Sequence, residues 1–141
     1  MADDSHWNEE NKPIIEEFRA NEGRIGGRFE GGTMLILHTT GARTGAARLN
    51  PLRYQPDGDR LVVFASRRGE PPNPDWYYNL LAHPRVTVEV GTDKYDVTSR
   101  VATGDERERL WSAIKRLRPG FADYEQKTDR RIPVVVLERP A

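Results

Sequence analysis

Turn signals that break the chain into short apolar runs constrain this sequence more than any other feature. Pro56-Asp57-Gly58-Asp59 separates two extended segments, so 46–66 reads as a hairpin with its second arm at Arg60–Ser66. Val86, Val88 and Val90 alternate as a half-buried strand does, and Gly91-Thr92-Asp93 turns that strand into another at about 94–102. Further strands are expected at about 33–39, at 46–55 and at Ile132–Leu137. Six short strands with few helices predict a mainly β (α+β) architecture, a small barrel with helices packed outside.

The helices have their own signals. Ile14, Ile15 and Phe18 make an apolar stripe in a first helix at about 8–21. Asn73-Pro74-Asp75 opens a second, with Asn73 as N-cap and Pro74 at the first helical position. That helix carries Trp76, Tyr77, Leu80 and Leu81 on one face, and Pro84 stops it. A third starts at Asp105 with Leu110, Trp111, Ile114 and Leu117 inward, and a short irregular or helical piece carries Phe121 and Tyr124. At 141 residues the chain is divided here into a helical segment, 1–23, and one barrel domain, 24–141.

Several function classes drop out. No strand leads into G-x-G-x-x-G and a helix, and no P-loop is present. The absence of cysteine removes disulfides, thiolate metal sites and thiol nucleophiles. His6, His38 and His83 are scattered, so no metal site is expected, and no nucleophile elbow supports a hydrolase. MADDSHWNEEN has no apolar core, and no run approaches the ~20 residues of a membrane span, so a cytoplasmic protein without stable membrane insertion is expected.

Formal net charge is zero but unevenly placed: residues 1–23 hold seven acids against two bases, and 24–68 hold eight arginines against three acids. The all-arginine middle suits an anionic ligand read by planar donors. The bias is too small for a nucleic-acid binder. Within it, LILHTTGARTGAARLNPLRY at 35–54 sets Arg43, Arg48 and Arg53 among small residues, with Gly41 and Gly45 allowing a tight loop. Loop amides and guanidinium groups can converge there on an anion, although a surface hairpin with solvated arginines has the same composition.

TTGARTG with RLNPL, then FASRRG, NPDWYYNLLAHPRVTVEVG and DYEQKTDRRIPVVVLE together resemble the deazaflavin-dependent nitroreductase family, from about 25 to 139. The resemblance implies a split β-barrel of about six strands, of the FMN-binding flavin-reductase type, using coenzyme F420. It implies an F420H2-dependent reductase that passes a hydride to an electron-poor conjugated small molecule: a quinone, an enone or unsaturated lactone, or a nitroaromatic. Arg43, Thr44 and Gly45, with Arg48, match the family's phosphate loop, and Arg53, Arg67 and Arg68 are weaker candidates for the acidic tail. Asn50-Pro51 match the strand under the ring, Ala65 and Ser66 the strand end beside it, and Trp76 and Asn79 the helix next to the cofactor. Ser66 and Tyr124 are the candidate catalytic hydroxyls, and Phe29, Phe121 and Tyr124 the candidate substrate pocket. The sequence departs from nitroimidazole-reducing members at Phe121 and Arg118, where those carry tyrosines, and phenylalanine has no proton to give. Rival readings are an FMN-dependent reductase or oxidase of the same barrel type and a non-catalytic F420 or tetrapyrrole binder. Monomer and homodimer both fit.

Overall fold

The computed structural model describes residues 5–23, 33–66, 73–128 and 131–139. Chain order is α1 (Ser5–Ala20), β1 (Met34–Thr40), β2 (Ala47–Arg53), β3 (Gln55–Asp57), β4 (Arg60–Phe64), α2 (Asp75–Ala82), β5 (Arg85–Val90), β6 (Asp93–Val101), α3 (Gly104–Leu117), α4 (Gly120–Lys127) and β7 (Val134–Glu138). All seven strands join one antiparallel sheet in the order β2-β1-β5-β6-β7-β4-β3. Sequence predicts six strands. The seventh arises because the 46–55 segment breaks at Tyr54: its first part pairs with β1, its last part with β4. The short piece around Phe121 and Tyr124 is a helix.

That break closes the sheet. β2 and β3 are the two ends of the sheet order, yet only Tyr54 separates them in the chain. One strand therefore serves both edges, and the sheet curls into a barrel. The closure is short, since β3 pairs with β4 only over Gln55↔Val62 to Asp57↔Arg60. Beyond it β2 stays with β1 and β4 stays with β7, so the barrel splits between the outer edge of β2 and the end of β4.

Period-two alternation sorts side chains into three cores. Leu35, Leu37, Val63, Ala65, Val88, Val135 and Leu137 point into the barrel, where Trp76 and Leu80 of α2 plug one mouth. Val62, Phe64, Val134 and Val136 face outward against Leu110, Trp111 and Ile114 of α3. Met34 and Ile36 face outward against Ile15 and Phe18 of α1. The helix ends agree with the macrodipole: Asp105 and Glu106 open α3, and Lys115 and Arg116 close it. At α2 the expected cap is displaced by one residue. Pro74, not Asn73, is the N-cap, because its backbone is extended (φ −65°, ψ 152°) and its carbonyl accepts the Tyr77 N–H.

The end of α1 is tied down by charge. Arg19 makes a two-pronged contact with Glu89 of β5 (3.1 and 2.8 Å), and His38 Nε2 lies 2.6 Å from the same carboxylate. The hydrogen bond from Arg19, reinforced by His38, holds the Glu89 carboxyl below its usual range against the opposing effect of burial. A carboxylate depressed on folding stabilises the fold above its unfolded value of about 4.3 and loses that contribution as pH falls through the lower folded value. The Arg19 side chain is 48% exposed, so the pair contributes at most about 1 kcal/mol. Glu89→Gln is expected to melt slightly below the parent at pH 7, with the gap closing as pH falls through the lowered folded value of Glu89, which paired thermal melts measure.

Among the described residues no helix is long and apolar enough to cross a membrane, and no three His, Asp or Glu side chains converge as a metal site.

Candidate functional site

About half of the residues singled out from sequence flank the split in the barrel. Strand pairing settles which backbone groups face it. Tyr54 N–H bonds to Thr33 O and Gly41 N–H to Ala46 O, so on β2 the even-numbered residues bond to β1. Leu49, Pro51 and Arg53 then present their backbone to the split. Pro51 lacks a donor just where no strand partner exists among the described residues, so it costs no ladder bond there. On the opposite wall Ala65 N–H bonds to Pro133 O, which turns the backbone of Phe64 and Ser66 toward the split.

The same alternation separates the side chains into an inner and an outer wall. Leu52 packs in the barrel interior and Leu49 against α1. Arg48 and Asn50 therefore share the inner face with Leu52, while Pro51 and Arg53 share the outer face with Leu49. Ala65 is buried in the interior, and Ser66 takes the opposite side, with Phe64. Phe121 of α4 stands beside Phe64 at 5.4 Å between ring centroids, and Tyr124 stands edge-on to Phe121 at 5.6 Å. Of the residues expected to hold a cofactor, Arg48, Asn50, Ala65 and Asn79 fall on the inner side, while Pro51 and Ser66 fall on the outer side. Phe121 and Tyr124, expected to meet a substrate, are on the outer side as well.

At the plugged mouth the β1–β2 loop is folded by its own bonds. Gly41 N–H donates to Ala46 O (2.7 Å), Gly45 N–H to Gly41 O (2.9 Å), and Ala46 N–H to Thr44 Oγ1 (3.2 Å). Both glycines are needed. Gly45 has φ +70°, and a Cβ on Gly41 would sit 2.7 Å from Thr44 Oγ1. Within the loop the amides of Arg43 and Thr44 have no partner among the described residues. Nor do the guanidinium groups of Arg43 and Arg48, or those of Arg85, Arg116 and Arg118, have an ion-pair partner among the described residues, whereas Arg19, Arg60, Arg100, Arg107, Arg109 and Arg131 are all paired with carboxylates. In the loop and at the start of β2, two amides and two guanidinium groups are thereby donors without a protein partner among the described residues.

Arg53, Arg118 and Tyr124 share one electrostatic neighbourhood on the outer side. Burial, then the positive charge of Arg118, hold the Arg53 guanidinium below its usual range, while Tyr124 acts the other way. Trp76 is 5% exposed and its ring is part of the barrel interior. Asn79 is spent on the protein: Oδ1 accepts the Ala42 N–H (2.9 Å) and Nδ2 donates to Thr39 Oγ1 (3.1 Å). Thr39 and Ala42 are contributions that sequence reasoning misses, because Thr39 reads only as a β-branched strand residue and nothing in the spacing links it to position 79. Arg67, Arg68 and Phe29 lie outside the described residues. A separate cavity of about 120 Å³, whose lining includes Tyr77, Leu80, Ser99, Val101 and Val135, contains none of the candidate site residues, and Arg100, which also lines it, is committed to Glu106 and Glu138.

Residues 12–139 match the profile of the family described as F420H(2)-dependent quinone reductase. A Mycobacterium tuberculosis F420H(2)-dependent quinone reductase is 40% identical over 126 residues, covering 86% of this chain and 85% of that protein. A solved F420-H2 dependent reductase (FDR-A) superposes with a TM-score of 0.68 at 37% identity, covering 75% of this chain and 94% of that one. A further solved structure, described as a domain-swapped dimer, superposes with a TM-score of 0.70 at 33% identity, covering 96% of this chain and 100% of that one.

Proposed function

The chain belongs to the F420H(2)-dependent quinone reductase family and is an F420H2-dependent oxidoreductase, and on that footing we propose that the split in its barrel delivers a hydride from reduced F420 to a quinone. The observation that carries the residue assignments is the cradle at the plugged mouth, where Arg43 and Arg48 carry charge with no carboxylate partner among the described residues. F420 bears a phosphodiester and an oligoglutamate arm, and the arginine forks with the Arg43 and Thr44 amides suit that chemistry. FMN is the alternative cofactor.

When bound, the reduced deazaflavin supplies the hydride. The chain's own residues do the rest. Arg43, Thr44, Gly45 and Arg48 hold the anionic arm, and Asn50, Pro51 and Ala65 line the slot that orients the flat ring. The interior plug of Trp76 and Leu80 excludes water from below. On the outer wall Phe121 offers an apolar ring face, and the hydroxyls of Ser66 and Tyr124 polarise the quinone oxygen. A quinone that has taken up a hydride needs one proton to become the hydroquinone, and the Tyr124 hydroxyl or a water supplies it. Arg53 and Arg118 stabilise the negative charge that develops on that oxygen before the proton arrives. A quinone suits this wall better than a nitro compound, because Phe121 and Arg118 replace two proton-donating tyrosines with none.

Fluorescence titration with F420 and FMN side by side, followed by oxidation of reduced F420 across quinones, enones and nitroaromatics, tests the reading. Micromolar F420 binding with quinones fastest is expected. Preferential uptake of FMN overturns the cofactor assignment for these residues, and tight F420 binding without turnover favours a carrier. The likeness to a domain-swapped dimer supports a homodimer as the working assembly, which sedimentation reads directly.

A further inference from the structure

We propose that Asn79 is a positioning residue for cofactor binding: from helix α2 it sets the shape of the Arg43–Gly45 loop, acting through Ala42 rather than by contact with the cofactor. The proposal rests on the F420 reading above. Asn79 is 6% exposed, and both ends of its amide are engaged across the mouth of the barrel, with Ala42 N–H at 2.9 Å and Thr39 Oγ1 at 3.1 Å. Its own carbonyl accepts the His83 N–H (2.8 Å), which fixes it in the last turn of α2. The remaining loop bonds, Gly45 to Gly41 and Ala46 to Thr44, are internal to the loop. Asn79 therefore supplies the one hydrogen bond, among the described residues, that ties the loop to a different element.

Ala42 directly precedes Arg43, whose amide and guanidinium open the anion cradle. Fixing Ala42 fixes where those donors stand relative to the inner wall. The helix that does so is itself immobilised, since Trp76 and Leu80 lie in the barrel core. Only an amide serves here. Its oxygen accepts from a backbone N–H while its nitrogen donates to a hydroxyl, and leucine, of similar volume, can do neither. Loss of the bridge takes the partner from the Ala42 N–H and from the buried Thr39 Oγ1 and lets the loop sample other shapes, which weakens the grip on the arm and leaves the ring slot intact.

The test compares Asn79→Leu with the parent for two ligands: F420, and the deazaflavin chromophore with its ribityl chain but no phosphate or glutamate. The chromophore is measured as a competitor against reduced F420. Asn79→Leu is expected to weaken F420 about 30-fold, to change chromophore affinity less than about threefold, and to leave kcat at saturating F420 within about threefold. Equal weakening of both ligands overturns the proposal in favour of contact with the ring or general loosening. So does F420 affinity unchanged within about twofold. If Asn79→Leu fails to fold, Thr39→Val gives the same readout: it removes one of the two bonds, is expected to weaken F420 several-fold and selectively, and Thr39→Ser restores the affinity. Selective loss absent in Thr39→Val likewise overturns the proposal. Failure of the parent to bind F420 at all is distinguishable, because it sinks the underlying F420 reading before any variant is compared.

Discussion

Replacing Arg43 and Arg48 together by alanine is expected to weaken F420 binding about 100-fold or more while kcat at saturating cofactor falls less than about threefold. Each guanidinium that meets a phosphate or carboxylate makes a charge-assisted contact worth about 1.5–3 kcal/mol, and 1.4 kcal/mol is a factor of ten. Both side chains lack an ion-pair partner among the described residues, so alanine there breaks no ion pair and the fold should melt close to its normal temperature. The effect is also expected to shrink as salt rises, because the interaction is exposed. Isothermal titration of F420 at two ionic strengths, with steady-state kinetics, measures all three quantities. An affinity unchanged within about threefold would place the anionic arm elsewhere.

Trp111→Ala is expected to be the most damaging single substitution away from the loop. Trp111 is 2% exposed on α3, 6.0 Å from Phe64 and 6.1 Å from Phe121 by ring centroids. Its Nε1 donates to Glu125 Oε2 at 2.5 Å, and the cations of Arg107 and Lys115 lie over its ring at 5.5 and 5.7 Å. Removing a buried tryptophan costs about 3–5 kcal/mol, or roughly 10–20 °C in a domain of this size. The loss has a direction. Helix α4 has no fully buried residue of its own and leans on Trp111 through Phe121 and Glu125. Loosening it moves Tyr124, so the KM for quinone should rise while F420 affinity, governed at the other wall, holds. Trp111→Phe keeps the ring packing and is expected to cost about 1 kcal/mol for the lost hydrogen bond, with Glu125 still paired to Lys115. Thermal melts and separate KM values for the two substrates decide it. Parallel changes in both affinities would mean that α4 does not act on the substrate wall alone.

Much of the architecture is legible in the residues. The turn at 56–59, the alternation of Val86, Val88 and Val90, the stripe of Leu110, Trp111 and Ile114 and the stop at Pro84 are local signals, and each produced its element, although Leu117, expected inward with that stripe, is exposed at the end of α3. The arginines of the 35–54 stretch suit an anion, although a surface hairpin with solvated arginines has the same composition. The combined motifs pointed to an F420-dependent reductase, which the family match bears out.

What the tertiary structure decided is the closure and the bridge. No local pattern says that the strand after Ala47 will change partners at Tyr54, since pairing depends on strands brought from far along the chain. That exchange makes the seventh strand, opens the split, and assigns Arg48 and Asn50 to one wall and Ser66 and Tyr124 to the other. Asn79 shows the same limit at the level of one residue. Its type and helix were readable, but its partners lie 37 and 40 residues away in sequence, and hydrogen bonds of that reach exist only once the barrel has curled. Sequence determined which chemistry the chain carries; packing determined which atoms that chemistry can meet, because facing in a sheet is set by partners and not by neighbours.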